Sequence, residues 1–183
     1  LNVQKWEAPI PTQMQGKAKG TFPTSLMPKT DQERIQNCFK DVSARSDSSY
    51  EITLKLDGSS CTIFRYEGEL RVCSRNMEMK INEENADNLF VRMAKKYDEC
   101  IPNGFAFQGE LMGPGVQKNR EGFGEHDFFV FDVVDLMEYK YLDPNRRRNF
   151  VEMCGLRHVP VLSINAEAPK SVVEALEFAD SLN

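Results

Sequence analysis

Residues 50–74 read YEITLKLDGSSCTIFRYEGELRVCS, and this stretch predicts the fold. Its first part alternates apolar with polar residues, which is the period of a half-buried β-strand. Two further strand-like runs, 62–66 and 70–74, flank a Glu-Gly pair at 67–68, which is a hairpin signal. Because short turns favour antiparallel pairing, the stretch predicts an α+β fold of mostly antiparallel sheets with flanking helices.

Other segments carry signals of further helices and strands. Apolar residues at helical spacing predict helices near 31–42 and 86–97, the first of them opened by a capping box at 30–33. An Asp-Pro pair at 143–144 opens a third helix, which Gly155 ends. The remaining predicted elements are strands at 105–111, 128–134 and 159–164 and a helix at 171–181.

Composition excludes several classes of protein. The chain has 183 residues, of which 40% are hydrophobic and 28% charged, as in a globular domain and unlike a disordered or repetitive chain. No apolar run approaches the roughly 20 residues that cross a bilayer, and no signal-peptide pattern is found, so we expect no membrane partner. The net charge of -5 argues against a surface coated in positive charge but allows a local basic groove. The oligomeric state stays open.

The five cysteines indicate a reducing compartment. They are odd in number and form no CxxC pair, which suits neither a zinc site nor a disulfide framework. We therefore expect buried free thiols and an intracellular, cytoplasmic protein. Two histidines are too few for a His-rich metal centre. The chain begins at Leu1 and not at Met, which we interpret as a piece of a longer protein.

Candidate chemistry concentrates in residues 51–60. Lys55 lies at the end of the predicted strand, on the same face as Asp57 and just before the Gly58 turn. A free lysine has a pKa near 10.4, so neutrality at physiological pH costs roughly 4 kcal/mol. A nucleophilic lysine therefore needs desolvation or a nearby cation, and a hydrated Mg²⁺ held by Asp57 would serve. The alternative is a solvated lysine before an ordinary Asp-Gly turn.

Residues 55–58, KLDG, resemble motif I (KxDG) of the covalent nucleotidyltransferases, which comprise ATP-dependent DNA and RNA ligases and mRNA capping enzymes. Residues 74–76 resemble the arginine segment that holds the ribose, 107–111 resemble motif III, and 128–133 resemble motif IIIa. The continuation GELMGPGVQKN at 109–119 is similar to RNA ligases of the nick-sealing, ligase-2-like branch. The resemblance thus implies an RNA ligase with the nucleotidyltransferase fold, with a capping guanylyltransferase or a DNA ligase as the alternative.

The resemblance implies a nucleophile, a nucleotide site and a metal. Lys55 is implied to attack the α-phosphorus of ATP and to carry AMP as lysyl-AMP, before AMP moves to an RNA 5′-phosphate that is sealed to a 3′-OH. Asp57 and Glu110 are implied to hold Mg²⁺ or Mn²⁺ through water. The implied nucleotide-binding residues are Thr53, Leu54, Asp57, Gly58, Ser60, Arg75, Glu110 and Phe131.

Three further interpretations concern aromatic and basic residues. Phe131 is implied to stack on adenine, with packing in the core as the alternative, whereas Phe129 is predicted to pack in the core. Three successive helical residues cannot share one face, so at least one residue of the run Arg146 to Arg148 points elsewhere. The run is predicted to be a solvated helix surface, with phosphate contact as the alternative. The candidate RNA contacts are Lys118, Asn119 and Arg120, with an exposed polar loop as an equal alternative.

The expected organisation has two parts. Residues 1–45 form a lead-in segment and the capping-box helix, and 46–183 form the nucleotidyltransferase domain. The family's motifs IV and V are not found, so we expect this domain to be truncated at its C-terminal end. Residues 23–37 also resemble bacteriophage, bacterial and protist members, which leaves a bacteriophage or bacterial origin open. From a different class, a catalytically inactive nucleic-acid-binding relative is the alternative.

Overall fold

The computed structural model describes residues 15–182, which form two compact units. Unit 1 comprises 15–30 and 56–159, and unit 2 comprises 31–55 and 160–182. The chain passes from unit 2 to unit 1 between Lys55 and Leu56, within the KLDG segment. The expected domain boundary at 45/46 stays a prediction, and unit 2 runs across it.

The described residues form ten strands and four helices, and several strands follow one another without a helix between them. The strands are β1 (Ala18–Thr21), β2 (Tyr50–Thr53), β3 (Ser59–Tyr66), β4 (Glu69–Ser74), β5 (Met77–Met79), β6 (Phe105–Met112), β7 (Asp127–Asp135), β8 (Lys140–Tyr141), β9 (Arg157–His158) and β10 (Val161–Ala166). The helices are α1 (Ile35–Ser43), α2 (Leu89–Lys96), α3 (Pro144–Met153) and α4 (Val172–Asp180), with short 3-10 turns at Glu83–Asn85 and Asp98–Cys100. The predicted α+β class with mostly antiparallel pairing is confirmed.

Unit 1 is built on one sheet in the order β1-β5-β4-β3-β6-β7-β8, with β9 pairing parallel to β7. The predicted hairpin is present as β3 and β4, with Tyr66 opposite Glu69. Its turn residues Glu67 and Gly68 both have positive φ, at 52° and 80°. Two positive φ values give the backbone twist that matches two right-twisted strands, which is why a glycine stands there.

The two faces of this sheet are covered differently. Strand β6 alternates, so Phe107 and Leu111 lie in one apolar cluster while Ala106 belongs to another. Helices α2 and α3 cover the first cluster with Val91 and Val151. The lead-in segment covers the second. That second cluster contains Phe22, Met27, Phe64, Cys73, Ala106, Val134 and Leu136.

The start of the chain differs from prediction in two ways. The described part of the lead-in, residues 15–30, contains β1, which pairs with β5, although no strand was predicted there. The capping box is wrong, because α1 begins at Ile35 with Arg34 as a cap that makes no side-chain bond. The Thr30 hydroxyl instead lies 2.8 Å from the Ser60 hydroxyl. A tertiary partner thus replaces the local cap, a choice that local pattern does not encode.

Helix α3 follows its sequence signals. The Asp143 carboxylate accepts a hydrogen bond from the Arg146 amide at 3.0 Å, and Pro144 occupies the first turn, where its missing N–H costs nothing. Beyond the helix, Gly155 has φ 65°, the left-handed conformation that ends a helix. The unpredicted strands β5, β8 and β9 are two or three residues long, too short to give a periodic signal.

Unit 2 consists of the β2–β10 pair and helices α1 and α4. Thr53 lies opposite Val161, and the Leu54 amide donates to the Pro160 carbonyl at 2.9 Å. Ser171 caps α4 through the Glu174 amide at 3.1 Å. Neither helix has a fully buried residue. Exposed apolar side chains in this unit are Leu162, Ile164, Val173, Leu176, Phe178 and Leu182.

Two expectations about chemistry and compartment can be compared with the described residues. All five cysteines are free thiols, but only Cys61 and Cys73 are buried, whereas the other three are partly exposed. Burial raises the pKa of the Cys61 thiol, and the nearby Glu110 carboxylate adds to that effect, so this thiol stays neutral. Within residues 15–182, none of the helices has the length and hydrophobicity that a bilayer crossing requires.

Candidate active site

The loop at residues 56–58, where the second segment of unit 1 begins, is hydrogen-bonded to strand β6 in the middle of the sheet. The Gly58 amide donates to Glu110 Oε1 at 3.0 Å, and Ser60 stands opposite Glu110 in the β3–β6 ladder. A Cβ at residue 58 would lie 2.4 Å from both the Leu111 carbonyl oxygen and the Met112 sulfur. Only glycine allows this approach, so the DG turn and the motif III carboxylate form one local structure.

Asp57 precedes this contact and is exposed, whereas Leu56 before it is buried. The Asp57 amide lies 3.5 Å from Glu121 Oε1, a long and therefore weak hydrogen bond. Burial of Leu56 and the Gly58 contact hold the backbone on both sides of Asp57. Its carboxylate is thus presented to solvent from a fixed backbone.

Lys55 is the last residue of the first segment of unit 2, and its side chain is exposed. The predicted strand through residue 56 ends earlier, at Thr53. Thr53 and Leu54 are half-buried, and the Leu54 amide is already bonded to Pro160. Any contact of Leu54 with a purine edge would therefore use its carbonyl oxygen.

Arg75 lies at the exposed tip of the turn between β4 and β5. Three hydrogen bonds fix this turn. Ser74 Oγ donates to the Met77 carbonyl at 3.3 Å, the Asn76 carbonyl accepts from the Phe22 amide at 2.8 Å, and Asn76 Oδ1 accepts from Lys29 Nζ at 3.1 Å. Two of the three partners come from the lead-in segment, so that segment positions the turn.

The lead-in crosses the sheet face that carries Glu110. Gln108, fully buried and two residues before Glu110, donates through Nε2 to the Pro28 carbonyl at 2.8 Å. Thr30 reaches Ser60, which faces Glu110. Sequence analysis did not assign this role, although a Gln in the middle of an apolar strand signals a buried polar partner.

Phe131 occupies an irregular point of β7. Gly109 pairs with Val130 while Gln108 pairs with Asp132, so Phe131 is the additional residue of a β-bulge. Bulges re-aim side chains and are frequent next to active sites. The Phe131 side chain is half-buried in a strand whose first four residues are buried.

Phe129 is buried, as predicted for a core residue, but it stands opposite Glu110 in the β6–β7 ladder. Its ring centroid is 5.1 Å from that of Phe123 in the loop before β7, and the Arg157 guanidinium carbon is 5.9 Å from it. Phe129 therefore packs beneath a loop and a cation on the Glu110 side of the sheet.

The arginine run of α3 is not a solvated surface throughout, so that prediction is wrong for Arg147. Arg147 is 8% exposed. Its Nη1 donates to Asp132 Oδ1 and its Nε to His158 Nε2, both at 3.1 Å. The middle residue of the run faces inward because the helix turns its neighbours away from the same face, leaving Arg146 exposed.

The loop 113–126 carries the candidate RNA contacts. Lys118 and Arg120 are exposed. Asn119 is half-buried with φ 43°, and its amide group bonds to both backbone groups of Phe123, at 3.0 and 3.1 Å. The Asn119 side chain thus closes the loop, whereas the two flanking cations face solvent.

The described residues fit a hydrated metal better than a protein cage. Across residues 15–182, no group of three or more His, Cys, Asp or Glu side chains could hold a metal ion. Of the two predicted carboxylates, Asp57 directly precedes Gly58 in the sequence, and Glu110 accepts a hydrogen bond from the Gly58 amide. Mg²⁺ keeps several waters and is often bound by one or two carboxylates together with substrate phosphates, which matches this donor set.

Taken as a whole, the chain is similar to solved structures of an RNA ligase. The chain resembles the Naegleria gruberi RNA ligase in an apo mutant, at 34% identity with a TM-score of 0.80, covering 96% of this chain and 53% of that one. The same ligase solved with PPi is 35% identical, with a TM-score of 0.81, and the match covers 96% of this chain and 54% of that one. A mutant of this ligase solved with AMP and Mn is 33% identical, with a TM-score of 0.80, and the match covers 96% of this chain and 54% of that one.

The chain thus spans about half the length of these solved chains. No curated protein matches it. The family model described as RNA ligase matches residues 48–181, well over half of the chain and including every motif that the sequence analysis identified. This protein belongs to the RNA ligase family.

Proposed function

We propose that the protein is an ATP-dependent RNA ligase that works through lysyl-AMP. The observation that carries the proposal is the hydrogen bond between the Gly58 amide and Glu110 Oε1, which joins the KxDG turn to the motif III carboxylate. The similar ligase from Naegleria gruberi has been solved with ATP and Mn, with AMP and Mn and with PPi, which supports ATP as the substrate here.

In the first step the neutral Lys55 amine attacks the α-phosphorus of ATP. An N–P bond forms, the bond from the α-phosphorus to the bridging oxygen breaks, and pyrophosphate leaves with the electron pair. Deprotonation of a free lysine costs roughly 4 kcal/mol at physiological pH. Positive charge close to the amine lowers this cost and also neutralises the phosphates.

In the second step a 5′-phosphate oxygen of RNA attacks the phosphorus of lysyl-AMP. The N–P bond breaks, the lysine amine is regenerated, and AMP is linked to the RNA end. In the third step the 3′-OH attacks the RNA phosphorus, a phosphodiester forms and AMP leaves. The partner is therefore RNA with 5′-phosphate and 3′-OH ends, and the free cysteines suit a cytoplasmic setting.

The nucleotide is bound by residues with distinct tasks. Arg75 presents a rigid fork of donors to the ribose or a phosphate, from a turn that the lead-in segment fixes. Glu110 accepts from the ribose, and Phe131 offers a flat face to adenine, a contact worth about 1–3 kcal/mol. The other proposed nucleotide-binding residues are Thr53, Leu54, Asp57, Gly58 and Ser60.

A divalent metal fits as a hydrated ion beside Asp57 and Glu110. Mg²⁺ or Mn²⁺ would supply positive charge to the triphosphate during the attack. The chain's own part is to hold the backbone on both sides of Asp57, through the buried Leu56 and through the hydrogen bond from Gly58 to Glu110.

RNA contact is proposed for the loop 113–126. Lys118 and Arg120 are exposed cations suited to phosphates. Asn119 acts by shaping the loop, because its amide group is bonded to Phe123.

The test is transfer of label from [α-32P]ATP to the full-length protein in the presence of Mg²⁺. We expect label that survives denaturation and alkali but is released by acid, as a P–N bond requires, on the wild type and on Lys140→Ala, which removes an exposed lysine of β8. In Lys55→Ala we expect a loss of label on the order of 1000-fold. Label that survives Lys55→Ala would contradict the assigned nucleophile. Label from GTP alone would indicate capping chemistry, and no label from either nucleotide would indicate an inactive binding relative.

A further inference from the structure

We propose that Arg147 is a positioning residue that holds the Phe131 bulge in the place where it meets the adenine base. That an adenine base binds here rests on the proposed function. The contacts of Arg147 with Asp132 and His158 lie entirely within unit 1. Arg147 belongs to α3 and touches neither nucleotide nor metal in this proposal. It acts through its neighbours in β7 and β9.

The first step is the bulge itself. A residue inserted into a ladder lacks a cross-strand partner, so its backbone conformation is not fixed by the regular hydrogen bonds of the sheet. Phe131 is that residue, between Val130 and Asp132. A base-stacking ring needs a defined plane, so a bulge at this point needs support from outside the β6–β7 ladder.

The second step is the support on the Asp132 side. Arg147 Nη1 donates to Asp132 Oδ1 at 3.1 Å, and the two side chains are only 10% and 18% exposed. Withdrawing two charges from water costs several kcal/mol per ion, so such a pair adds little net stability compared with apolar residues of similar volume. What the pair does provide is a fixed geometry for the residue that follows Phe131.

The third step is the support on the Val130 side. Arg147 Nε donates to His158 Nε2 at 3.1 Å, so the imidazole proton lies on Nδ1, which donates to the Val159 carbonyl at 2.7 Å. The Val159 amide in turn donates to the Val130 carbonyl at 2.9 Å. Through this chain Arg147 secures the residues on both sides of Phe131. The pKa of His158 is lowered by burial and by the adjacent Arg147 and Arg148 cations, which keeps Nε2 an acceptor.

The consequence is specific to nucleotide binding. Without Arg147 the bulge can relax, the ring loses its plane and ATP binds more weakly, while the attacking amine of Lys55 is unaffected. We expect Arg147→Met to raise the ATP concentration for half-maximal single-turnover self-adenylylation about tenfold, within the range that loss of one stacking contact spans. The rate constant at saturating ATP should stay within about threefold.

A double-mutant cycle with Phe131→Ala tests this on the full-length protein. If Arg147 acts through Phe131, each single variant raises the half-saturating ATP concentration about tenfold and the double variant raises it no further. The control is Arg65→Met, which removes another partly buried arginine of unit 1 that pairs with Asp98 and should leave that concentration unchanged. Asp132→Asn, which keeps the shape but weakens the pair, should repeat the Arg147→Met result in milder form.

The outcomes separate the two proposals. A wild type that takes no label overturns the proposed function. A labelled wild type with multiplicative effects, about 100-fold in the double variant, overturns the positioning role. An Arg65→Met variant that matches Arg147→Met would also overturn it, since general destabilisation would then explain both. If Arg147→Met fails to fold, Asp132→Asn completes the same cycle and an absence of coupling there overturns the proposal.

Discussion

The two units of this protein are packed very differently. Unit 1 has two apolar clusters, one on each face of a long sheet. Hydrogen bonds to that sheet or to the lead-in hold Gly58, Ser60 and the turn that carries Arg75. Unit 2 has a two-stranded sheet and two helices without a fully buried residue. A two-stranded sheet is marginal by itself. The KLDG motif is divided between these environments, with Lys55 in the loosely packed unit and Asp57 and Gly58 in the well-packed one.

The comparison indicates which unit holds its side chains in a defined geometry. Binding a nucleotide requires several groups held in one geometry, and close packing supplies that. A nucleophile on a long flexible side chain requires only that it reach the phosphorus with its amine neutral. The contrast predicts that substitutions in unit 1 act on stability and binding, whereas those in unit 2 outside Thr53, Leu54 and Lys55 have small effects on both.

The largest expected effect comes from the core of unit 1. Phe128 is fully buried on β7, and Phe128→Ala should lower the free energy of unfolding by about 3–5 kcal/mol through lost contacts and a cavity. The matched change in unit 2 is Phe178→Ala, at an α4 residue that is 45% exposed, and it should alter stability by no more than about 0.5 kcal/mol. Denaturant unfolding compares them, and equal losses would remove the contrast between the units.

A smaller stability effect with a large functional effect is expected at the KxDG turn. Gly58→Ala forces a Cβ to within 2.4 Å of the Leu111 carbonyl oxygen, so the turn must move off Glu110. We expect about 1–3 kcal/mol of destabilisation and at least a tenfold slower self-adenylylation. Gly124→Ala is the control, because a Cβ there meets nothing within 4 Å. Full activity of the Gly58 variant, measured by label transfer, would show that the turn tolerates displacement.

The smallest expected effect is a dependence of stability on pH through His158. Burial lowers the pKa of this imidazole in the folded protein below its unfolded value of about 6.5, so the unfolded state binds the proton first. The stability that the neutral His158 contributes is therefore complete above about pH 6.5, and it is lost as the pH falls through the lower pKa of the folded state. Unfolding free energies between pH 7.5 and 5 should decline more steeply for the wild type than for His158→Asn. Parallel curves would exclude His158 as the titrating group.

Sequence analysis was most successful where signals are local. The hairpin at Glu67-Gly68 and the start of α3 at Asp143 follow from turn and cap chemistry that involves neighbouring residues only. The family was also predictable, because the KLDG segment and the later motifs are short stretches of adjacent residues that occur in a fixed order.

What could not be predicted depends on residues distant in the chain. Thr30 was expected to cap a helix, but Ser60 is a better partner once the lead-in lies across the sheet. Arg147 was expected to face solvent, but Asp132 and His158 satisfy its guanidinium in the interior. The position of Phe131 in a bulge requires the register of two strands, which no single segment specifies.

The fold class, the order of the motifs and the family therefore follow from the sequence, since periodicity, turn chemistry and short motifs depend on adjacent residues. Three features are visible only in the folded chain: the KLDG motif is divided between two units, the lead-in holds the Arg75 turn, and a buried arginine pairs with the residue after the bulged phenylalanine. The physical reason is that hydrogen bonds and ion pairs between distant residues form only where packing excludes water. Which residues meet there depends on strand register and helix orientation in the whole fold.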